Sequence, residues 1–330
     1  MDALSVSVVT PTYNRCASLA RLLDGLDRQT YPTEQFEVVV VDDGSTDETL
    51  SYLSKCRTRF ALRIVQQPHR GPAAARNLGV KHARGDILLF LDDDVLPARD
   101  LIERHVWRHQ ENADVVVIGP MLPPSDWPRP IWVRWEEEQL ARQYQALLAG
   151  AYPCTPRQFY SANASLRRAQ FLDAGGFDPL FARAEDVELA YRLRDRRARF
   201  VFDPSATVEH FASRTLASWQ RIPYQYGRYD VIMDRDKRHD TLSMAARDFS
   251  SRHWLGRLLA RVAVGRPWLT KGAVLVLRLS ALAADQLGAQ RCASVALSGL
   301  FNLLYWNGLC DELGGRPLFR HWLAQSAGPS

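Results

Sequence analysis

Three consecutive aspartates, Asp92, Asp93 and Asp94, follow the apolar run at residues 87–91 and constrain this sequence more than any other feature. Five bulky apolar residues in succession predict a strand that is buried on both faces. Carboxylates at the carboxyl end of such a strand lie in the crevice where open α/β sheets bind ligands. Because three adjacent negative charges repel one another, we expect a cation there, most simply a divalent metal that in turn holds a diphosphate. A solvated acidic turn is the alternative interpretation.

Apolar runs and helical periodicities alternate along the first third of the chain, which predicts a doubly wound, mostly parallel sheet. The predicted strands lie at residues 5–12, 36–41, 62–65 and 87–91, and the predicted helices include residues 18–27 and 73–83.

The alternation breaks after residue 118. Five prolines fall between residues 119 and 130, and an aromatic, basic stretch follows at residues 131–135. We expect this stretch to be a loop that crosses an open surface beside an acceptor. The later predicted elements are strand-like segments at residues 159–167 and 199–210 and a helix at residues 185–196.

Charge is unevenly distributed over the 330 residues. The formal net charge is +5, but residues 247–330 contain ten Lys or Arg and four Asp or Glu, so that this tail carries +6 and the rest about −1. The basic tail predicts an anionic partner surface, lipid headgroups in preference to nucleic acid, with a solvated basic face as the alternative. Five scattered cysteines and an N-terminus unlike a signal peptide predict a cytoplasmic protein. Peripheral binding at the inner face of the cell membrane is the alternative location.

The tail is also rich in Leu, Ala and Val. Residues 292–310 contain no charged side chain, but several Ser, Asn and Gly residues dilute their apolar character. An interfacial or core-packed helix is therefore favoured over a membrane span.

Eight motifs, taken together and in this order, resemble those of the family 2 glycosyltransferases. They lie at residues 8–15, 39–47, 71–79, 90–94, 163–167, 175–178, 185–186 and 208–210. The resemblance covers roughly residues 5–215. It implies the GT-A fold and inverting transfer of a sugar from a nucleotide-diphosphate donor. We therefore predict a catalytic domain at residues 1–246, with a nucleotide-binding half at 1–118 and an acceptor half at 119–246, and a helical tail at 247–330.

The resemblance also implies how the donor is bound. Arg76 is expected to contact the nucleotide or its phosphates, although a surface arginine is the alternative. Uridine diphosphate sugars are the default donors of the family. The loops after the first two strands are expected to hold the base and ribose through Pro11, Tyr13, Arg15, Asp42 and Asp43.

By the same resemblance, Asp94 coordinates Mg²⁺ or Mn²⁺, and Asp92 contacts ribose or a metal-bound water. Asp93 is assigned to the nucleotide-sugar site as the intervening residue, although alternation along an extended segment would turn it away. His210 is expected near the metal, where imidazole suits Mn²⁺ better than Mg²⁺. A lone histidine is more often structural.

Asp186 matches the aspartate that acts as general base in the family, and Glu185 would position it or the acceptor. Two carboxylates that only cap a helix N-terminus are the alternative. The acceptor is expected to be a saccharide or a lipid-linked intermediate, as in polysaccharide biosynthesis, with Asn163, Trp132 and Trp135 as candidate contacts.

Two other classes of protein remain as alternatives. The first is an inactive nucleotide- or glycan-binding module, which would not need both Asp94 and Asp186. The second is a phosphatase of the haloacid dehalogenase type. Its signature requires Thr or Val two residues after the second aspartate, where this chain has Leu96.

Overall fold

The strands predicted from the apolar runs are present in the computed structural model, which describes residues 4–326. Residues 1–3 and 327–330 of the predicted domains lie outside the described part. Within it, the strands are β1 (Val6–Thr12), β2 (Phe36–Asp42), β3 (Ala61–Gln66), β4 (Ile87–Leu91), β5 (Val95–Pro97), β6 (Val115–Ile118), β7 (Met121–Leu122), β8 (Asn163–Arg167), β9 (Arg199–Phe202) and β10 (Val208–His210).

The helices occupy the connections between strands and most of the last third of the chain. They are α1 (Cys16–Asp27), α2 (Thr49–Lys55), α3 (Pro72–His82), α4 (Leu101–Glu111), α5 (Ile131–Leu148), α6 (Arg168–Asp173), α7 (Glu185–Asp195), α8 (Leu216–Lys237), α9 (Thr241–Ser251), α10 (Trp254–Ala263), α11 (Pro267–Gln286), α12 (Gln290–Glu312) and α13 (Arg316–Ser326).

Seven strands form the main sheet, in the order β3-β2-β1-β4-β8-β6-β9. β8 runs antiparallel to its neighbours β4 and β6, and the other pairs are parallel. The predicted mostly parallel, doubly wound sheet is therefore confirmed. A small second sheet has the strand order β5-β10-β7. Its strand β5 begins directly after Asp94, the last residue of the acidic triplet.

The main sheet is covered on both faces, as the apolar runs require. Val8 and Leu89 pack with α1 on one face, whereas Val9 and Phe90 pack with α3 on the other. α3 approaches the sheet closely at Gly79, where a Cβ atom would lie 2.5 Å from Cγ1 of Val9. Because α3 follows the carboxyl end of β3 after a short loop, its N-terminal end lies beside the carboxyl ends of the parallel strands.

The chain divides into two compact units. The first comprises Met1–Pro128 and Glu137–Ala212, and the second comprises Arg129–Glu136 and Ser213–Ser330. The division after residue 212 differs from the boundary predicted at residue 246, because α8 and α9 pack with the later helices. Val231 of α8 and Phe249 of α9 belong to the same apolar cluster as Trp306 of α12.

The structure tests three further predictions about the elements. Residues 131–135, predicted as a loop, form the first part of α5, because Trp135 is buried there against Trp219. Residues 199–210, predicted as one strand-like segment, form two short strands in different sheets. Residues 292–310 lie within α12, and the burial of Leu300, among others, confirms a core-packed helix.

Candidate active site

The acidic triplet lies at the carboxyl end of β4, which is fully buried. The carboxylate of Asp93 is turned inward, accepts a hydrogen bond from Thr12 Oγ1 at 2.8 Å, and pairs with Arg15 Nη1 at 3.0 Å. The same nitrogen of Arg15 lies 2.6 Å from Asp94 Oδ2. Burial raises the pKa of Asp93 to about 6, although the charge of Arg15 opposes this effect. A cation therefore does stand among these carboxylates, as charge repulsion requires, and in this structure it is a guanidinium.

Asp94 also lies close to the histidine that was predicted near a metal. His210 is on β10, whose antiparallel pairing with β5 places it opposite Val95. Its Nε2 atom is 3.6 Å from Asp94 Oδ1. Two residues distant in sequence are thus brought to one point by the small sheet.

The residues present fit a divalent cation only in part. Among residues 4–326, no group of three or more His, Cys, Asp and Glu side chains is arranged to enclose an ion. Asp94 and His210 would supply two ligands, and Mg²⁺ or Mn²⁺ commonly takes its remaining ligands from substrate phosphates and water. The donor set therefore fits a metal that is bound together with a diphosphate.

Arg76 connects the acidic triplet to the second pair of carboxylates. It is 3% exposed, and its Nη2 and Nη1 atoms lie 2.5 Å from Asp92 and 2.8 Å from Glu185, respectively. The guanidinium also lies over the ring of Phe177, at 5.6 Å from its centre. The alternative of a surface arginine is excluded, and Arg76 instead joins the end of β4 to the start of α7.

Glu185 and Asp186 form the first turn of α7. The preceding residue, Ala184, has φ of +62°, an uncommon conformation for a residue with a side chain and one that often occurs at functional sites. Asp186 is partly exposed, and its carboxylate accepts from the backbone N–H groups of Val187 at 2.8 Å and Ser161 at 3.4 Å.

The pKa of Asp186 is raised to about 7, first by burial and then by the negative charge of Glu185, whereas the backbone donors and Arg76 act in the opposite direction. A carboxylate with a pKa near neutrality accepts a proton well at physiological pH, whereas a carboxylate with an ordinary pKa accepts one poorly. The neighbouring Glu185 forms an ion pair with Arg76 at 2.8 Å.

The loops after β1 and β2 are tied together by side chains of their own motifs. Asn14, with φ of +52°, accepts from the backbone N–H of Thr46 at 2.7 Å, and its own N–H donates to Ser45 Oγ at 2.9 Å. The backbone N–H of Cys16 donates to Asp47 at 3.2 Å. These contacts give the two loops one fixed arrangement at the edge of the sheet, beside Pro11 of β1.

The two aspartates at the carboxyl end of β2, Asp42 and Asp43, have different surroundings. Asp43 accepts from the N–H groups of Arg70 at 2.9 Å and Gly71 at 2.8 Å, and it pairs with His69 at 2.9 Å. Gly71 has φ of +86°, which favours glycine, and it precedes α3. Asp43 therefore organises the loop that leads into α3. Asp42, also buried, accepts weakly from Ser45 N–H at 3.3 Å.

An aromatic pair stands at the same end of the sheet. The ring of Tyr13, 41% exposed, stacks on the imidazole of His69 with centres 4.1 Å apart and planes 28° apart. An exposed flat ring of this kind can stack on a planar heterocycle. Tyr13 was predicted from the sequence, whereas His69 was not.

One predicted acceptor contact is wrong. Asn163 is fully buried, and its amide donates to the carbonyls of Ala206 at 2.8 Å and Pro120 at 3.2 Å and accepts from His105 Nε2 at 3.1 Å. Its side chain thereby joins β8 to the segments that flank β7 and β10, and it cannot contact an acceptor in this structure. Asn77 has a similar bridging role, since its amide contacts the backbone of Phe177 at 2.7 and 2.9 Å.

The two tryptophans predicted at the acceptor belong to the second unit. Trp135 is buried and its indole N–H donates to Ser298 Oγ at 3.0 Å, so that the predicted contact with an acceptor is wrong for this residue. Trp132 is partly buried, and its indole N–H donates to the carbonyl of Arg214 at 2.8 Å. Its contact with an acceptor stays a prediction.

Sequence reasoning missed a buried polar chain behind the site. His109 and His105, one turn apart on α4, both contact Ser165 Oγ at 2.8 Å, and His105 continues to Asn163. Burial lowers the pKa of His105 to about 4 and that of His109 to about 3, so both are neutral. The signal in the sequence was the spacing of these two histidines, because residues four positions apart lie on the same face of a helix.

Proteins that are similar to this chain in sequence are named as glycosyltransferases. A profile described as glycosyl transferase family 2 matches residues 7–172. Among curated relatives, the uncharacterised glycosyltransferase YfnE of Bacillus subtilis is 36% identical over 52% of this chain and 42% of its own length. Validoxylamine A glucosyltransferase of Streptomyces hygroscopicus subsp. jinggangensis is 36% identical over 57% of this chain and 51% of its own. The chain thus spans about half the length of these curated relatives.

Two solved structures share the fold. The Staphylococcus aureus protein TarS (residues 1–349) aligns with a TM-score of 0.57 and 20% identity, covering 89% of this chain and 90% of that one. The mannosyltransferase PcManGT of Pyrobaculum calidifontis aligns with a TM-score of 0.60 and 23% identity over 92% and 87% of the two chains. The likeness confirms the predicted GT-A fold with additional C-terminal helices. The profile match, which covers half of the sequence, shows that this chain belongs to glycosyl transferase family 2.

Proposed function

We propose that this protein is an inverting glycosyltransferase, which moves a sugar from a nucleotide-diphosphate donor to a hydroxyl group and uses Asp186 as general base. The observation that carries the proposal is the Arg76 bridge. It links the acidic triplet, through Asp92, to the pair Glu185–Asp186 by two short ionic hydrogen bonds. The bridge supports the proposal because it holds the carboxylates proposed to bind the donor close to the one proposed to accept the proton.

The donor is proposed to lie along the carboxyl ends of β1, β2 and β4. The Tyr13–His69 stack offers a ring for the base, and Asp42 and Asp43 offer carboxylates for ribose hydroxyls or base N–H groups. Arg15, half exposed beside Asp94, is proposed to contact phosphate oxygens. One structure of TarS is a complex with UDP-GlcNAc, and that of PcManGT is a complex with GDP-Man and Mn²⁺. A uridine diphosphate sugar is the first donor to test.

In the proposed reaction, the acceptor oxygen forms a bond to the anomeric carbon while the bond from that carbon to the diphosphate oxygen breaks. The acceptor's proton passes to the carboxylate of Asp186, and the nucleoside diphosphate leaves with the bonding electron pair. A divalent cation held by Asp94 and His210 would stabilise negative charge on the leaving diphosphate. Glu185, fixed by Arg76, keeps a second negative charge beside Asp186 and so favours its uptake of the proton.

The acceptor is proposed to be a saccharide or a lipid-linked glycan intermediate, and the reaction is proposed to occur in the cytoplasm or at the inner face of the membrane. The raised pKa of Asp186 supports an active enzyme over an inactive binding module, because binding alone does not require a poised base. The family match leaves no support for the phosphatase alternative.

The experiment is a panel of UDP- and GDP-sugars incubated with the protein, in Mn²⁺ or in EDTA, with release of nucleoside diphosphate as the readout. We expect release from a subset of donors that requires the metal. Nucleotide binding without release from any donor, with water or simple sugars as acceptors, would favour the inactive module. Turnover of phosphate esters without sugar release would favour the phosphatase.

A further inference from the structure

The second unit carries two neighbouring helices, α10 and α11, whose outer faces are apolar. On α11, the side chains of Trp268, Leu275, Val276 and Leu279 are 73%, 54%, 62% and 55% exposed. Trp268, Leu275 and Leu279 recur at intervals of seven and four residues, and Val276 lies three residues before Leu279, so that the four side chains share one face of the helix. Contiguous exposed apolar side chains of this kind are unusual on a soluble surface and indicate a partner.

α10 repeats this arrangement. Trp254, Leu255, Leu258 and Val262 are all exposed, whereas Ala260 and Ala263 on the other side of the helix are buried. We refer to these four side chains and the four on α11 as the apolar surface.

Basic side chains flank both stripes. Lys271 and Arg278 are exposed and lie seven residues apart, so they occupy the same flank of α11. Arg257 and Arg261 have the corresponding position on α10, and Arg266 lies in the connection between the helices. From residue 249 to residue 284 the sequence contains no Asp or Glu. A partner for this surface must therefore be apolar in its interior and negatively charged at its boundary.

The inner face of α11 is attached to the rest of the unit. Thr270 Oγ1 donates to the carbonyl of Ala263 at 2.8 Å, and Ala281 is buried against Leu297 and Leu300 of α12. Among residues 4–326, α11 is the helix that is long and apolar enough to cross a membrane. Only 11% of its most apolar 18-residue stretch is buried. To span a bilayer it would have to lose these contacts and carry Lys271 and Arg278 into hydrocarbon, which is costly. A helix lying in the interface keeps both.

We propose that the apolar surface docks the protein on a bilayer that contains anionic lipids, with α10 and α11 in the headgroup region. Trp268, Leu275 and their neighbours enter the upper acyl region, while Lys271 and Arg278 contact lipid phosphates. Docking is independent of the proposed transfer reaction, and neither result decides the other.

The test is flotation of the full chain with vesicles of phosphatidylcholine alone or mixed with phosphatidylglycerol. We expect binding to the mixed vesicles, weak binding to the neutral ones, and a loss at high salt. Each of Lys271→Glu and Arg278→Glu should weaken binding by at least about fivefold, since one basic residue near an anionic surface contributes a factor of that order. The double change Leu275→Ser, Leu279→Ser should abolish it.

Matched controls lie in the first unit. Lys81→Glu makes the same charge change at an exposed end of α3, and Leu148→Ser removes an apolar side chain that is 61% exposed at the end of α5. Both should bind as the unaltered protein does, and circular dichroism establishes that every variant is folded. The proposal is overturned if the unaltered protein does not float with anionic vesicles, or if the apolar-surface variants float as well as the controls. It is also overturned if light scattering shows a dimer that these variants dissociate, because the surface would then be covered by a second copy.

Discussion

Replacing Arg76 with alanine tests the bridge between the two carboxylate groups. Glu185 is 7% exposed and loses its ionic partner in this variant. Removing one member of a buried ion pair costs about 3–5 kcal/mol, because the remaining charge is left without compensation. The side chain of Asp92 is 34% exposed, so its lost pair adds less than about 1 kcal/mol. We therefore expect the free energy of unfolding of the first unit to fall by about 3–5 kcal/mol.

The assay is urea denaturation followed by circular dichroism, supported by thermal melting. The first unit has about 200 residues, for which 1 kcal/mol shifts the melting temperature by about 2–4 °C. Arg196→Ala is the matched control, since Arg196 pairs with Asp173 at 2.8 Å on the surface of the same unit and should contribute less than about 1 kcal/mol.

A second variant separates charge from packing. In the double variant Arg76→Ala, Glu185→Gln the buried negative charge is absent, and we expect at least half of the lost stability to return. If Arg76→Ala costs no more than Arg196→Ala, or if the glutamine restores nothing, the bridge does not have the energetic role assigned to it.

Three further predictions concern the same site. The donor-hydrolysis rate should rise about tenfold per pH unit up to about pH 7 and then level, because Asp186 must lose its proton to act as base; a plateau from pH 5 upward would show that its pKa is not raised. Asp94→Asn should weaken Mn²⁺-dependent binding of UDP at least tenfold in calorimetry, whereas binding in EDTA should change little; equal losses in both would contradict a metal role. Asn163→Ala should lower the free energy of unfolding by about 2–5 kcal/mol, because it leaves buried partners unsatisfied; a neutral effect in urea would contradict the bridging role.

The first half of the sheet could be predicted closely from the sequence. β4 was predicted at its observed bounds, because buried parallel strands appear as continuous apolar runs. α3 was predicted within one residue at each end. That Asp42 and Asp92 lie at the same edge of the sheet follows from the parallel pairing of β1, β2 and β4 alone. The proximity of Asp94 and His210 was reached only through the family resemblance, since no local pattern connects residues so far apart.

The failures share a physical cause, which is packing between distant segments. Residues 131–135 follow a run of prolines and were predicted as a loop, but Trp135 gains its burial from Trp219 and Phe301. Asn163 was predicted as an acceptor contact because it lies in one of the motifs that resemble the family. In the structure its amide satisfies buried backbone groups, and its histidine partner comes from α4, 58 residues earlier in the chain. Neither set of contacts is encoded in local periodicity.

The most direct test of the central claim is to measure donor binding and sugar transfer side by side for Asp186→Asn. Asparagine has nearly the same shape but cannot accept the proton. We expect the dissociation constant for the donor to stay within about twofold, while the transfer rate falls by about 10²–10⁴. Transfer at the rate of the unaltered protein, with the donor still bound, would contradict the assignment of Asp186 as the base.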